Sequence, residues 1–390
     1  MLTGRFRKKP QLYLANCDAE LDGLSTLSPT VRDNKKPVFK KGRQVVIVAG
    51  SCSPSSGDLL AGYAGIIKEA FAGFDGTICS GGNNAGISGL IGSLTNLGEQ
   101  AVRLGYLPKG ERCMNGYACI STLPGEFSGY EPIMMWSDIL VSDITPNSVR
   151  IVRVGGGAVA RLEYQLALLL GAQVGLFADS GGACSKMLKD QDLLSAAAVP
   201  IHSRNPKYQL LSLLADSETL RAFIHPTLPS KLIGRGDREA IAKGLHDKYT
   251  ALMKEGVAAR LQNLADWEDL DDTFREANLS FVDHIDQKLQ RIGLTLRKIP
   301  SKTPPVEHDP RIAAKIEQNK HLLAKMEHGR WVIDRLEGGW GIGERDDHGR
   351  TRPQLIPWDD LSSKEMAKDF KAIEGLPEIL ANEGYAIVKL

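Results

Sequence analysis

The sequence predicts an α/β fold: a Rossmann-like, doubly wound parallel sheet, followed by a helical linker and a small α-helical domain. Three observations carry this. Short, wholly apolar runs such as Val45-Val46-Ile47-Val48-Ala49 alternate with helical stretches, the pattern of strands buried on both faces. Several of these runs end in glycine clusters that open a helix. From about Pro206 the chain turns polar and helical.

Taken in order, residues 1–43 are polar and basic and read as an N-terminal arm; its cluster Lys35-Lys36, Lys40-Lys41 and Arg43 reads as a solvated face. The sheet domain is expected over 44–230. Val45–Ala49 is a strand that ends at Gly50-Ser51-Cys52-Ser53. A helix follows over Gly57–Phe71, then a strand Thr77–Cys79 and a helix Ala85–Arg103. Tyr117–Leu123 and Asp138–Asp143 are expected as strands. Strand Ile151–Val154, helix Ala158–Leu170, strand Gln173–Ala178 and a helix after Gly182 complete the unit. A helix is expected over Asp216–Phe223, and a helical connector spans 231–305, with helices over Asp237–Leu264 and Asp266–Leu289. The breaker cluster Ser301-Lys302-Thr303-Pro304-Pro305 closes it, and 306–390 form a compact unit dense in Trp, Arg and Gly.

A chain of 390 residues is long enough for two or three domains. Its net charge of +1 provides no global field for nucleic acid or an anionic membrane, so anion binding has to be local. No apolar run approaches a membrane span, and the basic start is not followed by a secretion signal; we expect a cytoplasmic protein without membrane insertion. The six cysteines lack CxxC spacing and read as reduced thiols, those beside glycine turns (Cys52, Cys79) as buried spectators. The eight histidines show no metal-ligand spacing, so neither a metal nor a cofactor is expected.

The chemistry sits in the glycine turns. Gly50, Ser51 and Ser53 follow the first strand. Ser80-Gly81-Gly82-Asn83-Asn84, Gly155-Gly156-Gly157 and Asp179-Ser180-Gly181-Gly182 follow later ones. Backbone amides bare of Cβ atoms, at the positive ends of helices, are what a phosphate needs. Ligands of such sheets bind beyond the carboxyl ends of the strands. No Walker A loop and no GxGxxG with an acidic partner is present. The plain alternative is that the glycines only make tight turns. Arg153, Arg161, Glu163 and Asp179 lie close in sequence to these turns and are candidates for charge neutralisation and for ribose hydroxyls.

These segments, over roughly 44–225, resemble the SLOG superfamily, which includes Lonely Guy phosphoribohydrolases and the cytosolic N-terminal domain of melastatin-type TRP channels. The resemblance implies a Rossmann-like fold that binds nucleotides or nucleotide-derived signals. Enzymatic members cleave an N-glycosidic or phosphoribosyl bond with an Arg and a Glu near a PGGxGTxxE motif. Here the comparable segment is Val154–Glu163, which lacks the Pro and the Thr and sets Glu163 one residue further on. Arg161 and Glu163 are the catalytic pair if the protein is an enzyme.

The C-terminal unit holds three of the five tryptophans. It reads Glu327-His328-Gly329-Arg330-Trp331, Arg335, Gly338-Gly339-Trp340, Arg345-Asp346, Arg352-Pro353 and Ile356-Pro357-Trp358. An indole face beside a guanidinium stacks on a base and pairs with a phosphate; equally, the tryptophans can form the core of a small domain. The pattern over about 320–390 resembles the RyR domain, first described in ryanodine receptors. That implies paired helices and a loop, joined in bacteria to nucleotide-sensing domains and channels. Glu327, Arg330, Trp331, Trp340, Arg345 and Trp358 are its candidate ligand residues.

The expectation is a sensor of a nucleotide-derived small molecule, ADP-ribose-like or a cyclic nucleotide, in bacterial defence or stress signalling, with a homo-oligomer as its assembly. The alternatives are a nucleotide or ADP-ribose-type hydrolase and a non-catalytic scaffold.

Overall fold

A computed structural model describes residues 39–51, 57–187, 189, 210–254, 265–300 and 309–390. Ser53, Cys17, Cys52, most of the N-terminal arm, the end of the helix expected to reach Leu264, and the 301–305 breaker lie outside them.

Seven strands form one parallel sheet: β1 (Val45–Gly50), β2 (Thr77–Ser80), β3 (Val102–Lys109), β4 (Ala118–Pro124), β5 (Val149–Val154), β6 (Gln173–Phe177) and β7 (Leu210–Leu213). Their order is β4-β3-β2-β1-β5-β6-β7. The chain winds outward from β1 to β4, crosses back to β5 beside β1, and winds out the other way. The topological switch therefore lies between β1 and β5, paired from Val45↔Val149 to Gly50↔Val154. Helices α1 (Gly57–Phe71) and α2 (Gly86–Gly92) cover one face, with Ile67, Phe71, Ile87 and Ile91 buried. Helices α3 (Tyr130–Val141), α4 (Ala158–Leu170) and α5 (Gly182–Met187) cover the other.

Two expectations on this unit are corrected. The helix begun at Ala85 does not reach Arg103. It ends at Gly92, where Arg103 donates to the carbonyls of Gly92 at 3.0 Å and Leu94 at 2.7 Å and so satisfies the open helix end; Arg103 itself belongs to β3. The run Asp138–Asp143 is not a strand. It is the last turn of α3 and the bend after it, because Met135, Trp136 and Ile139 recur at helical spacing and pack on the sheet. The edge strand β7, and β3, carry too few unbroken apolar residues to stand out in the sequence.

After the sheet strands the chain continues through α6 (Ser217–Ile224), α7 (Arg235–Lys254), α8 (Asp272–Asp283), α9 (Ile285–Arg291), β8 (Leu294–Lys298), α10 (Pro310–Gln318), α11 (Lys320–Glu337), the short β9 (Gly341–Ile342) and β10 (Thr351–Arg352), α12 (Ser363–Asn382) and β11 (Tyr385–Lys389). The stretch expected as one helix over Asp266–Leu289 is divided. The Asp271 side chain accepts from the Thr273 amide and starts α8 afresh, and His284 breaks it from α9. The antiparallel pair β8–β11 ties the connector to the chain end, Leu294↔Lys389 to Lys298↔Tyr385. One apolar core runs through both stretches, from Ile233 and Ile241 through Val282 and Leu289 to Trp358, Ile373 and Ile387.

Helix α11 joins this unit to the sheet domain. Gly329 lies directly on the backbone of α6: a Cβ there would stand 2.6 Å from the Glu218 carbonyl. Ile333 enters the sheet-side core beside Leu220 and Phe223. Arg150 at the start of β5 pairs with Glu337 at 2.6 Å, and Lys325 pairs with Asp216 at 3.3 Å.

The C113–C119 pair is a disulfide, Cα to Cα 6.0 Å, which corrects the expectation of reduced thiols throughout. The segment 110–117 turns back beside β4 and brings the two residues within bridging distance. Cys79 and Cys184 are buried free thiols, and burial raises both above the ordinary range.

Candidate functional site

The glycine turns meet where the topology requires. Ser51 N donates to Val154 O at 3.1 Å, Ile87 N to Ser51 O at 3.2 Å, and Ala183 N to Gly156 O at 2.9 Å. The β1, β5 and β6 turns are thus bonded to one another at the switch point. Much of the glycine is explained by that packing. Gly182, at φ +58°, would bring a Cβ within 2.7 Å of Gly156 O, and Gly82, at φ +81°, within 2.8 Å of Gly105 Cα. Ser180 is used internally: its buried hydroxyl donates to Phe177 O at 2.5 Å and accepts from Gly155 N at 2.8 Å. The Asn83 side chain accepts from Ala85 N at 3.3 Å, a local turn contact. Ser80 is buried, Gly81 half-buried, and Asn84 and Asp179 are exposed. What faces outward is the start of α4, where Gly157 supplies no capping side chain and the first turn carries no acid.

Arg161 and Glu163 do not converge. Two residues apart on α4, they point to different sides: Arg161 is exposed, while Glu163 turns inward to Arg153 at 2.6 Å. Arg153 is fully buried, lies over the Tyr164 ring at 4.3 Å and donates to Ala160 O at 2.6 Å. The carboxylate that a hydrolase would need is therefore held in a structural ion pair.

A different picture appears beneath α11. A cavity of about 260 Å³ opens between α7, α8, α11, α12 and the β9–β10 loop. Its lining includes Glu327, Arg330, Trp331 and Arg345 from the residues singled out in the sequence, together with Phe274, Asn278, Arg335, Arg352 and Asp369. Spacing explains the first set: on α11, positions 327, 330, 331 and 335 recur every three to four residues and form one face.

One side of this cavity is electrostatically closed. Arg330 donates to both Glu327 oxygens, at 3.0 Å and 3.1 Å from Nε, and to Ser280 Oγ at 3.0 Å, and also pairs with Asp334. Lys288 reaches Glu327 at 2.7 Å. Burial lowers Lys288 to about 8, against the pull of Glu327. Burial alone would raise Glu327, but Arg330 and Lys288 hold it below the usual range. Burial, with Glu327 alongside, pushes the Asp369 carboxyl well up.

The other side is not closed. Arg335 is 6% exposed, and no carboxylate or carbonyl among the described residues accepts from its guanidinium. Aromatic rings hold it instead: Trp340 at 5.0 Å, Phe274 at 5.5 Å and Trp331 at 5.8 Å. Burial lowers it to about 10, against the pull of Asp334 and with Arg352 and Arg330 adding to the fall. Arg352 also lies over Trp340, at 4.4 Å, and pairs with Asp347, which Arg345 approaches to 3.6 Å.

The tryptophans divide by role. Trp358 is fully buried, donates to His321 at 3.3 Å and packs on Phe370, so it is core. Trp340 is buried among arginines. Trp331, half-buried and stacked with His328 at 5.9 Å, faces the cavity. Sequence reasoning passed over the connector's contribution, Phe274 and Asn278, and did not single out Arg335 as a site. The available signal was its position four residues after Trp331 on a helix.

Residues 305–389 match the family model of the RyR domain. This agrees with the resemblance drawn from the E-H-x-R-W and later motifs, and the cavity is built largely, though not wholly, from that segment. No curated protein matches the chain. Among solved structures, one titled as the X-ray structure of TM1055, a structural-genomics target, aligns at 19% identity over 37% of this chain and 81% of that chain, with a TM-score of 0.29. Among the described residues no helix is long and apolar enough to cross a membrane, and no three-residue cluster of metal-ligating side chains occurs.

Proposed function

We propose that this protein is a receptor for a nucleotide-derived small molecule, bound in the cavity beneath α11. The observation that carries the reading is Arg335: a buried guanidinium on a cavity wall, with no acceptor bonded to it among the described residues, beside the half-buried indole of Trp331, which also lines the cavity. Burying a cation with no acid bonded to it is costly, and an anionic ligand would offset that cost. A base stacked on Trp331 with a phosphate at Arg335 uses both features. The start of α4 at the sheet switch point supports a second anion contact in the same molecule. The pairing of such a domain with a Rossmann-like sheet suggests signalling in defence or stress as its setting.

The hydrolase reading loses its support with Glu163 engaged by Arg153. The decisive measurement is a thermal-shift panel of nucleotides, cyclic nucleotides and ADP-ribose on the full chain, with chromatography of the ligand afterwards. Stabilisation with the ligand intact is expected. Release of base or ribose would establish the hydrolase instead. No shift across the panel would leave a scaffold.

A further inference from the structure

We infer that the outer face of helices α3 and α4 is a two-fold dimer interface, and that a second copy of this chain occupies it. The inference is independent of the receptor reading. It concerns the side of the sheet opposite the one that α11 joins. Both helices bury one side against the sheet, through Trp136, Ile139 and Tyr164 among others. Their other side is apolar as well. Leu169 is 84% exposed, Val141 78% and Ile133 53%, and Leu162, Leu140 and Val159 are exposed too. The two helices adjoin, since a Cβ on Gly129, just before α3, would stand 2.4 Å from Leu162 of α4. A helix that is apolar all round is a buried helix, and an apolar patch spread over two adjoining helices marks an interaction surface.

The charges agree. Glu131 is buried and accepts from Ser128 N at 2.8 Å, Asp138 accepts from Tyr106 at 2.8 Å, and Glu163 turns in to Arg153 at 2.6 Å. The acids of α3 and α4 thus face the protein while leucines face out, the reverse of a water-facing helix. Arg161 brings a charge outward in the first turn of α4, at one end of the face. Composition selects the occupant. A face that meets a different protein is about as polar as the rest of the surface, whereas homodimer faces are more apolar. A face whose acids turn inward has little charge pattern for another protein to match, but a two-fold axis presents it to itself. Size agrees as well: 127–141 and 156–170 bring about 20 residues to the surface, the lower end of the 20–30 that each side of a standard interface uses.

The test is sedimentation velocity of the full chain from about 1 to 100 µM, the range in which an interface at the small end of the standard size is populated. A species of twice the 42.4 kDa monomer mass is expected. Leu169→Glu and Val141→Glu each bury an unpaired charge in the dimer and should raise its dissociation constant about tenfold or more. Both side chains are exposed in the single chain, so the melting curve of either variant at low concentration should match that of the unaltered protein. The second variant stands in should the first not fold. Leu228→Glu alters a leucine that is 68% exposed but lies beyond α6, and should leave the dimer unchanged. A chain that stays monomeric at the highest concentration overturns the inference and gives the face to another segment of the chain or to a different partner. A dimer that neither helix substitution weakens, or that Leu228→Glu weakens equally, overturns it too.

Discussion

The strand tips and the α11 cavity are both built from residues that suggest phosphate binding, yet they treat charge in opposite ways. At the tips, Arg153 is buried and paired with Glu163, donates to Ala160 O and lies over the Tyr164 ring, with only its Nε left without a hydrogen bond among the described residues. The glycines there bring neighbouring turns into backbone contact. In the cavity, Arg335 is also buried, but rings pack on it and no acid is bonded to it among the described residues. A glycine cluster reports how closely two backbones approach. A buried cation with no acid bonded to it is a place where an anion would lower the cost of burial.

The sharpest way to break this comparison is to neutralise one acid at the tips. Glu163→Gln leaves Arg153 buried without a counter-charge, and unfolding measured by denaturant should show a loss of about 3–5 kcal/mol. A loss below about 1 kcal/mol would mean that the tip pair is not structural. The seam between the regions comes next. Gly329→Ala sets a Cβ against the Glu218 carbonyl, and overpacking should cost about 1–3 kcal/mol in the same assay. An unchanged midpoint would show that α11 and α6 separate easily.

A pH effect sharpens the picture on the sheet side. Burial, with Arg221 and Arg291 near, lowers His225 to about 3, and its ring packs edge-on to Phe74 at 5.1 Å. The unfolded chain takes up that proton near pH 6.5 and the folded one does not. His225 therefore costs nothing above that pH, and stability falls as pH drops toward 3, by up to about 1.4 kcal/mol per pH unit. His225→Phe should flatten this slope in pH-dependent unfolding. The smallest effect is expected in the cavity: Arg335→Met should change ligand-free stability by less than about 1 kcal/mol, and upward, since it removes a buried cation with no ion pair. A large loss would make Arg335 structural.

Much of the sheet was legible because a strand buried on both faces has to be apolar throughout, as Val45–Val48 and Ile151–Val154 are. Strand β3 was not, because Arg103 and Lys109 interrupt its apolar run, nor was the pair β8–β11, whose partners lie far apart in sequence. Glu163 illustrates the same limit at the site. Its neighbourhood was evident from the chain, but its partner depended on which way α4 rolled on the sheet.

The linear order of residues determined by itself the alternation of strands and helices, the glycine turns at strand ends and the Trp–Arg face of α11, since all of these follow from local spacing. Only the tertiary structure decided which charges find each other. Ion pairs form across distances the sequence does not encode, and packing matched Arg153 and Arg330 with acids while surrounding Arg335 with rings.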